Sequence, residues 1–498
     1  MGLVTPVLIA FLLVYGLGYV VLSRTKRPLP ESADVTGSNV EYQLIFLIPC
    51  LNEGIVVAKS LERLLELPYA NKSIVVIDDG SDDDTYEIVS QYISTNVSIL
   101  RREFPHARRG KGEALNYAFR IIAASTQVAS QDPSKVIICI VDADGRLEPT
   151  AIERVLPYFE DPRVAAVQIG VRMYNATASI LSRMQDFEFL VFTEIFQRAR
   201  HQIGSSGLGG NGQFNRLSAL QDLGDSPWSH RLTEDLDLGL TLIERGWINA
   251  FCNETYVAQQ GVNSMSRLIR QRTRWFQGHM QCWYHIPKIL KAQLSYPATI
   301  DILYNLVAPM SVLILSLAIL VITSANLLTL IVFPAAYLRA VTADYGLPLI
   351  TLYGFAFGFC PIYAYLYSRH TKDSGILRSF WYAHLYVLYS YIWFISGWKA
   401  VLRIMFKKKG WSKTARTPDR VLVSGSAAQR QREIEHVGAR PRVLNFSAID
   451  SLEVDAVSPS VNELNLDGSI TGAYNYPASH VIAIRDLRSI ATPGNKGN

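Results

Sequence analysis

The 498-residue chain has little charge and little cysteine, and each shortage excludes a class of function. Only 18% of its residues are Asp, Glu, Lys or Arg, and the formal net charge is +5. A protein that holds nucleic acid by neutralising phosphates needs a denser positive field, so no nucleic acid is expected as a partner. The five cysteines, Cys50, Cys139, Cys252, Cys282 and Cys360, stand far apart with no CxxC pair. That spacing argues against a zinc or dithiol centre and predicts small buried thiols without disulfides, as on a reducing cytosolic face. A Walker loop is missing too: Lys111 lies between Gly110 and Gly112, but no Ser or Thr follows it and the upstream glycine is absent. No basic residue precedes the first apolar run and no small-residue cleavage site follows it, which argues against a signal peptide.

Apolar residues are abundant, at 49% of the chain, and they are clustered. Leu3 to Leu22 is long enough for a membrane helix over 1–23, with Met1 outside and Arg24, Lys26 and Arg27 in the cytosol. Four further runs, Ile300 to Thr323, Leu327 to Leu338, Leu347 to Tyr367 and Phe380 to Met405, predict about four transmembrane helices within 300–405. Pro334 makes the second tilted or re-entrant. An even number of crossings keeps the basic Lys407 to Arg416 stretch on the cytosolic side and places Arg369, Lys372 and Arg378 in an outer loop. The tail, 418–498, shows no repeat and reads as a regulatory appendage or disordered.

Residues 40–263 follow a different rhythm. Short apolar strands at Gln43–Ile48, Ser73–Ile77, Val97–Leu100 and Val136–Val141 alternate with helical spacing from Ile55 and over Glu113–Ala124. Helices are also read over Asp186–Arg200, from Gln213-Phe214-Asn215-Arg216, and over Asp235–Arg245. The alternation predicts a parallel sheet with helices on both faces and a ligand site at the carboxyl ends of its strands. Over 264–296, Trp275, Phe276, Trp283 and Tyr284 among basic residues suit amphipathic helices at a membrane interface.

The polar motifs fall at the predicted strand ends. Asp142 and Asp144 present two hard oxygen donors, fitting Mg²⁺ or Mn²⁺ on a diphosphate, or else a solvated turn. Asp78 and Asp79 can accept hydrogen bonds from a base edge and a ribose, alongside a helix N-cap by Ser81 or Asp82. Lys111 at a glycine-flanked helix start is a natural anion site. Asp235, positioned by Thr233 and Glu234, is a candidate general base, although acids at a helix start are common. Arg274 can clamp a phosphate, and Trp275 offers a face for a sugar ring; an interfacial helix with ordinary anchors would look the same. The aromatics Trp381, Tyr382, Tyr386, Tyr389, Tyr391, Trp393 and Trp398 fit a sugar-lined channel and a membrane aromatic belt equally.

Taken in order, Asp78-Asp79-Gly80, Asp142-Ala143-Asp144, Gly209-Gly210-Asn211-Gly212-Gln213, Thr233-Glu234-Asp235 and Gln271, Arg274, Trp275 (QxxRW) resemble the membrane-embedded, inverting family 2 glycosyltransferases, which include cellulose, chitin and hyaluronan synthases. The resemblance covers roughly 40–416. It implies an α/β GT-A (Rossmann-like) catalytic domain joined to an α-helical transmembrane bundle, in the cell membrane with the catalytic domain cytosolic. It also implies that Asn52, Glu53, Asp78, Asp79, Lys111 and Asp142 bind the nucleotide donor, that Asp142 and Asp144 hold the metal, and that Asp235 is the base. Gly210, Asn211, Gln213, Gln271, Arg274 and Trp275 would bind acceptor and diphosphate. Within 406–417, Trp411, Lys413, Thr414 and Arg416 resemble the gating segment of processive members. Cys50-Leu51 stands where cellulose synthases carry Thr and Tyr, and no PilZ signature is seen in the tail. The expected reaction is polymerisation from a UDP-sugar, UDP-glucose to a β-glucan, with export of the growing polysaccharide. Alternatives are a single sugar added to a lipid acceptor, a hyaluronan- or chitin-type synthase using UDP-GlcNAc, and a non-catalytic scaffold. Membrane lipids are expected around the apolar helices, with a homo-oligomer or an accessory export protein as the open choices for a protein partner.

Overall fold

The computed structural model describes residues 14–25 and 41–406. The chain divides into compact units 1–448 and 449–498, and the second lies outside the described residues. The proposed gating residues Trp411, Lys413, Thr414 and Arg416, and the tail 418–498, also lie outside them. Of the first apolar run, residues 14–22 are described and are helical.

One eight-stranded sheet organises the catalytic region, in the order β3-β2-β1-β4-β7-β6-β8-β5. β1 (Gln43–Cys50), β2 (Lys72–Asp78), β3 (Val97–Arg101) and β4 (Val136–Ile140) are mutually parallel, as the alternation predicts. Beyond β4 the parallel expectation fails: β7 (Gln213–Arg216) runs antiparallel to both β4 and β6 (Val164–Met173), and β5 (Arg146–Leu147) antiparallel to β8 (Ile248–Gln259). The sheet is mixed and Rossmann-like, the GT-A arrangement. Gln213 to Arg216 is therefore itself a strand, and the helix expected there is Leu217–Asp222, with Arg216 as its N-cap. Strands on both sides take the backbone hydrogen bonds of β7, and Phe214 enters the core at 0% exposure. The preceding Gly212, at φ +69°, turns the chain where an added methyl would lie 2.7 Å from Ile169. Ile45, Phe46, Leu47 and Ile138 are fully buried, each contributing about 1.5–3 kcal/mol of burial.

The helices that carry the site or its supports are α1 (Gly54–Leu65), α2 (Thr85–Ser90), α3 (Lys111–Ala124), α4 (Ile180–Val191), α5 (Glu234–Glu244) and α6 (Met265–Gln281). α4 begins six residues before the predicted Asp186, because Ser179 caps it by accepting from Ser182 N. The N-cap foreseen for Ser81 or Asp82 is not made: Asp84 holds the cap position of α2. All five cysteines are buried as free thiols.

The apolar half comprises α7 (Tyr296–Val332), α8 (Pro334–Phe357), α9 (Cys360–His370), α10 (Ile376–Ser390) and α11 (Ile392–Met405). Among the described residues three stretches, Tyr296–Val332, Tyr345–His370 and Ile376–Met405, are long and apolar enough to cross a membrane, instead of about four. The predicted run Leu327 to Leu338 is no separate helix, since the chain breaks within it at Phe333 and Pro334. The loop after α9 was expected on the outer side, but Asp373 pairs with Arg183 of α4 at 2.9 Å and Arg172 donates to the His370 carbonyl at 3.4 Å. Arg369, Lys372 and Arg378 thus flank a loop on the catalytic-domain side.

Candidate active site

The site lies at the ends of β1, β2 and β4, where the sheet delivers three polar loops. After β1, Asn52 sits at φ +53°, a left-handed conformation Asn tolerates. Its N–H donates to Ser81 Oγ at 2.9 Å, and its side-chain oxygen accepts from Asp82 N at 2.8 Å. Glu53 is buried, with its backbone N–H on Thr85 Oγ1 at 2.8 Å. The first two loops are thereby stitched together.

After β2, Asp78 is completely buried and accepts from Ser81 N at 3.0 Å. Asp79 is held by Arg102 at 2.6 Å and by Arg108 N at 3.0 Å. Burial raises the Asp79 pKa, against the opposing pull of Arg102. Both carboxylates, read from sequence as nucleotide acceptors, are here taken up by protein groups. Arg102 and Arg108, which the sequence reading did not select, hold Asp79, while Arg101 faces Asp78 at 3.6 Å.

After β4, Lys111 Nζ lies 2.6 Å from Asp142 Oδ1 and 2.7 Å from the Gly210 carbonyl oxygen. Asp142 N donates to Asn211 Oδ1 at 3.1 Å, and Asn211 Nδ2 donates to Gln259 Oε1 at 3.0 Å. Asp144 is buried and accepts from Gln260 N at 2.8 Å. The two acids of the Asp142-Ala143-Asp144 turn are thus braced by the segment before β7 and the end of β8. Among the described residues no three His, Cys, Asp or Glu side chains gather as a metal cluster. Two carboxylates still fit a hard cation that takes its remaining ligands from phosphate and water. Of the expected acceptor contacts, Asn211 has its amide engaged at both ends, and Gln213 is fully enclosed in β7.

The acid pair opens α5. Thr233 precedes the helix without a side-chain cap bond, and Gly278 of α6 packs on it; a methyl on Gly278 would fall 2.8 Å from Thr233 Oγ1. Asp235 Oδ1 accepts from Leu236 N at 2.8 Å. Its other oxygen faces Gly210, where an added methyl would meet Lys111 Nζ at 3.1 Å and Asp235 Oδ2 at 3.2 Å. Burial raises the pKa of Glu234, and the charge of Asp235 raises it further; burial likewise raises Asp235, against Lys111 and Arg274. Lys111 is pushed down by burial but held above its usual value by Asp142, Glu234 and Asp235. Asp142, Lys111, Gly210, Glu234, Asp235 and Arg274 therefore converge. The arrangement combines a base of raised pKa with two cations suited to a departing diphosphate.

Trp275 takes another direction. Half-buried, it lies edge-on to Phe189 with centroids 6.1 Å apart, and the Arg272 guanidinium sits 4.1 Å from its ring centre. Gln271 accepts from Arg272 at 3.2 Å. Arg272, an unspecified position of QxxRW, is the most enclosed member of this stretch at 1% exposure, and it pairs with Glu188 of α4. Sequence reasoning missed Glu188. Its signal was a lone acid inside Phe187-Glu188-Phe189-Leu190.

A mixed α/β sheet with acids at its strand ends, joined to apolar helices, defines a membrane-associated GT-A enzyme. Residues 43–278 match the family described as "Glycosyltransferase like family 2", and the chain carries a family 2 glycosyltransferase domain. It is 30% identical over 270 residues to a β-monoglucosyldiacylglycerol synthase of Synechocystis, covering 52% of this chain and 53% of that protein. It is 27% identical over 282 residues to a poly-β-1,6-N-acetyl-D-glucosamine synthase of Staphylococcus aureus, covering 55% and 63%. The chain thus spans about half the length of the first of these curated relatives. The mannosyltransferase PcManGT of Pyrobaculum calidifontis, solved with GDP-Man and Mn²⁺, shares the fold at 18% identity and a TM-score of 0.52, covering 81% of this chain and 100% of that one.

Proposed function

We propose that the enzyme transfers one hexose, glucose from UDP-glucose, with inversion to the hydroxyl of a membrane lipid of the diacylglycerol class, at the cytosolic face of the cell membrane. One observation carries this reading: α6 stands between the acid pair and the apolar helices. Arg274 acts on Glu234 and Asp235, while Phe276 packs with Leu313 of α7 and Ala400 of α11. One helix, about 10 Å across, separates the base from the packed inner faces of the apolar helices. A lipid hydroxyl has only that far to reach. The names of the 30% identical relatives support the same acceptor.

In the proposed step the acceptor oxygen bonds to the anomeric carbon as the bond to the diphosphate breaks, and the acceptor proton passes to Asp235. Arg274 and Lys111 stabilise the leaving diphosphate, and Trp275 flanks the acceptor side. Asp142 and Asp144 would hold Mg²⁺ or Mn²⁺, which when bound neutralises diphosphate charge.

A second reading is the processive synthase, making a β-glucan or a polymer from UDP-GlcNAc; Gln271, Arg274 and Trp275 together with the poly-GlcNAc synthase relative support it. Purified enzyme in mixed micelles with and without diacylglycerol, screened across UDP-sugars, separates the two. UDP release that requires diacylglycerol and yields a monoglucosyl lipid is expected. Release without lipid, giving a ladder of saccharides, would overturn the lipid reading.

A further inference from the structure

Length and composition nominate Ile376–Met405 as a membrane span, but its contacts take it elsewhere. We propose that this segment does not cross the bilayer. It lies in the leaflet facing the catalytic domain and binds lipid along its outer apolar face. The region then crosses twice, as a hairpin of Tyr296–Val332 and Tyr345–His370.

The hairpin leaves the domain and returns to it. At its start Asp301 accepts from Arg200 at 3.0 Å, and Trp283 donates to the Leu306 carbonyl at 2.7 Å. At its end the Tyr367 hydroxyl donates to Asp186 at 3.1 Å.

Ile376–Met405 never leaves. Before its first turn, Asp373 pairs with Arg183. At its middle, Tyr389 donates to Glu188 at 2.9 Å and Trp393 donates to the same carboxylate at 2.7 Å. Near its end, Arg403 donates to Gln277 of α6 at 3.1 Å. A straight 30-residue helix would be about 45 Å long, and the hydrocarbon is about 30 Å thick, so a span must part from a domain that sits on one side. The break at Tyr391 lets α10 follow α4 and then α11 follow α6. Helix α6 itself carries Arg267, Arg270, Arg272 and Arg274, a charge load that does not pass through hydrocarbon.

The two faces of the segment differ along its whole length. The inner face holds small residues that admit close approach: a methyl on Gly397 would meet Leu313 at 2.6 Å and Phe276 at 2.8 Å. The outer face exposes Leu377, Trp381, Leu388, Ile395, Leu402 and Met405, spaced so as to recur on one side of a helix. This stripe adjoins the exposed apolar surface of the hairpin, and Arg378 and Lys399 are exposed where their long stems can reach headgroups. Lipid of the near leaflet is the occupant such a face fits. Among the described residues, a hairpin and the helix at 14–22 are also few walls for a polymer passage.

The test is sidedness labelling of full-length enzyme in sealed vesicles with a membrane-impermeant maleimide, at cysteines introduced singly by Gln91→Cys, Ala343→Cys, Lys372→Cys and Phe406→Cys. The native thiols are buried. Lys372→Cys and Phe406→Cys should label from the same side as Gln91→Cys in the catalytic domain, and Ala343→Cys from the opposite side. Labelling of Phe406→Cys together with Ala343→Cys would overturn the proposal, as would labelling of all four from one side. Nitroxides at Leu377→Cys, Leu388→Cys and Leu402→Cys should report one shallow depth, whereas a maximum at the middle position would mean a span. Neither readout depends on the substrate, so failure here leaves the proposed reaction standing, and failure of the reaction leaves the topology standing.

Discussion

Two buried charge clusters lie on opposite sides of α6, and they are built to different ends. Glu188 has a donor on each carboxylate oxygen, Trp393 on one and Tyr389 on the other beside its pairing with Arg272, and Phe189, Trp275 and Trp393 surround the guanidinium. Glu234 and Asp235 are instead two acids side by side, pushed up by burial and relieved only in part by Lys111 and Arg274. A protein that sought only stability would not keep the second arrangement. Where charge is under-compensated beside a helix start, room is left for a substrate's charge and proton.

The largest effect expected from breaking this contrast is on turnover. Asp235→Asn should lower kcat by about 10²- to 10⁴-fold, the usual contribution of a positioned base, with UDP-sugar binding retained by calorimetry. UDP release near the wild-type rate would remove Asp235 from the role. On the other side of α6, Glu188→Gln should leave the chemistry in place and remove stability, by about 3–5 kcal/mol for a broken buried pair, read from denaturant unfolding. Pairing it with Arg272→Met should recover part of that loss. A double-variant loss equal to the sum of the losses in Glu188→Gln and Arg272→Met alone would mean that the pair is not coupled.

The contrast was only half legible in the sequence. The acids at strand ends could be read because β1, β2 and β4 are short, apolar through their middles and followed by polar turns, so a parallel arrangement places Asp78 and Asp142 at one edge. β7 could not be read: Gln213-Phe214-Asn215-Arg216 carries no strand signal of its own, and its conformation comes from β4 and β6 on either side. Glu188 and Arg272 meet across 84 residues, a pairing that no local pattern records. The course of Ile376–Met405 was hidden for the same reason, because an apolar helix bound along a domain and one crossing a bilayer differ in their partners and hardly in composition.

A third cluster tests whether α5 is anchored as the contrast requires. Both ring nitrogens of the fully buried His285 face acids, Nε2 on Asp237 at 3.0 Å and Nδ1 on Glu244. Burial pulls the His285 pKa down, but these two bonds hold it above its ordinary value. Its contribution to stability is therefore complete below the ordinary histidine pKa and lost as pH rises through the raised one. His285→Asn should cost about 2–3 kcal/mol at low pH and flatten the decline on the alkaline side. An unchanged alkaline decline would locate the titrating group elsewhere.

The smallest expected effect has the most telling sign. The raised pKa values of Glu234 and Asp235 mean that the folded chain binds their protons more tightly than the unfolded chain. The pair's contribution to stability is then fully present below the ordinary carboxylate range and lost as pH rises through the raised values. Catalysis runs the other way, since Asp235 must be ionised to accept a proton, so activity should climb over the same interval. Glu234→Gln removes one of two crowded acids, and at neutral pH it should stabilise the fold by on the order of 1 kcal/mol while leaving Asp235 to set the acidic limb of the activity profile. Should Glu234→Gln instead destabilise the protein as Glu188→Gln does, the two clusters would be alike, and the acid pair would be a structural feature of α5 with no reserved role in transfer.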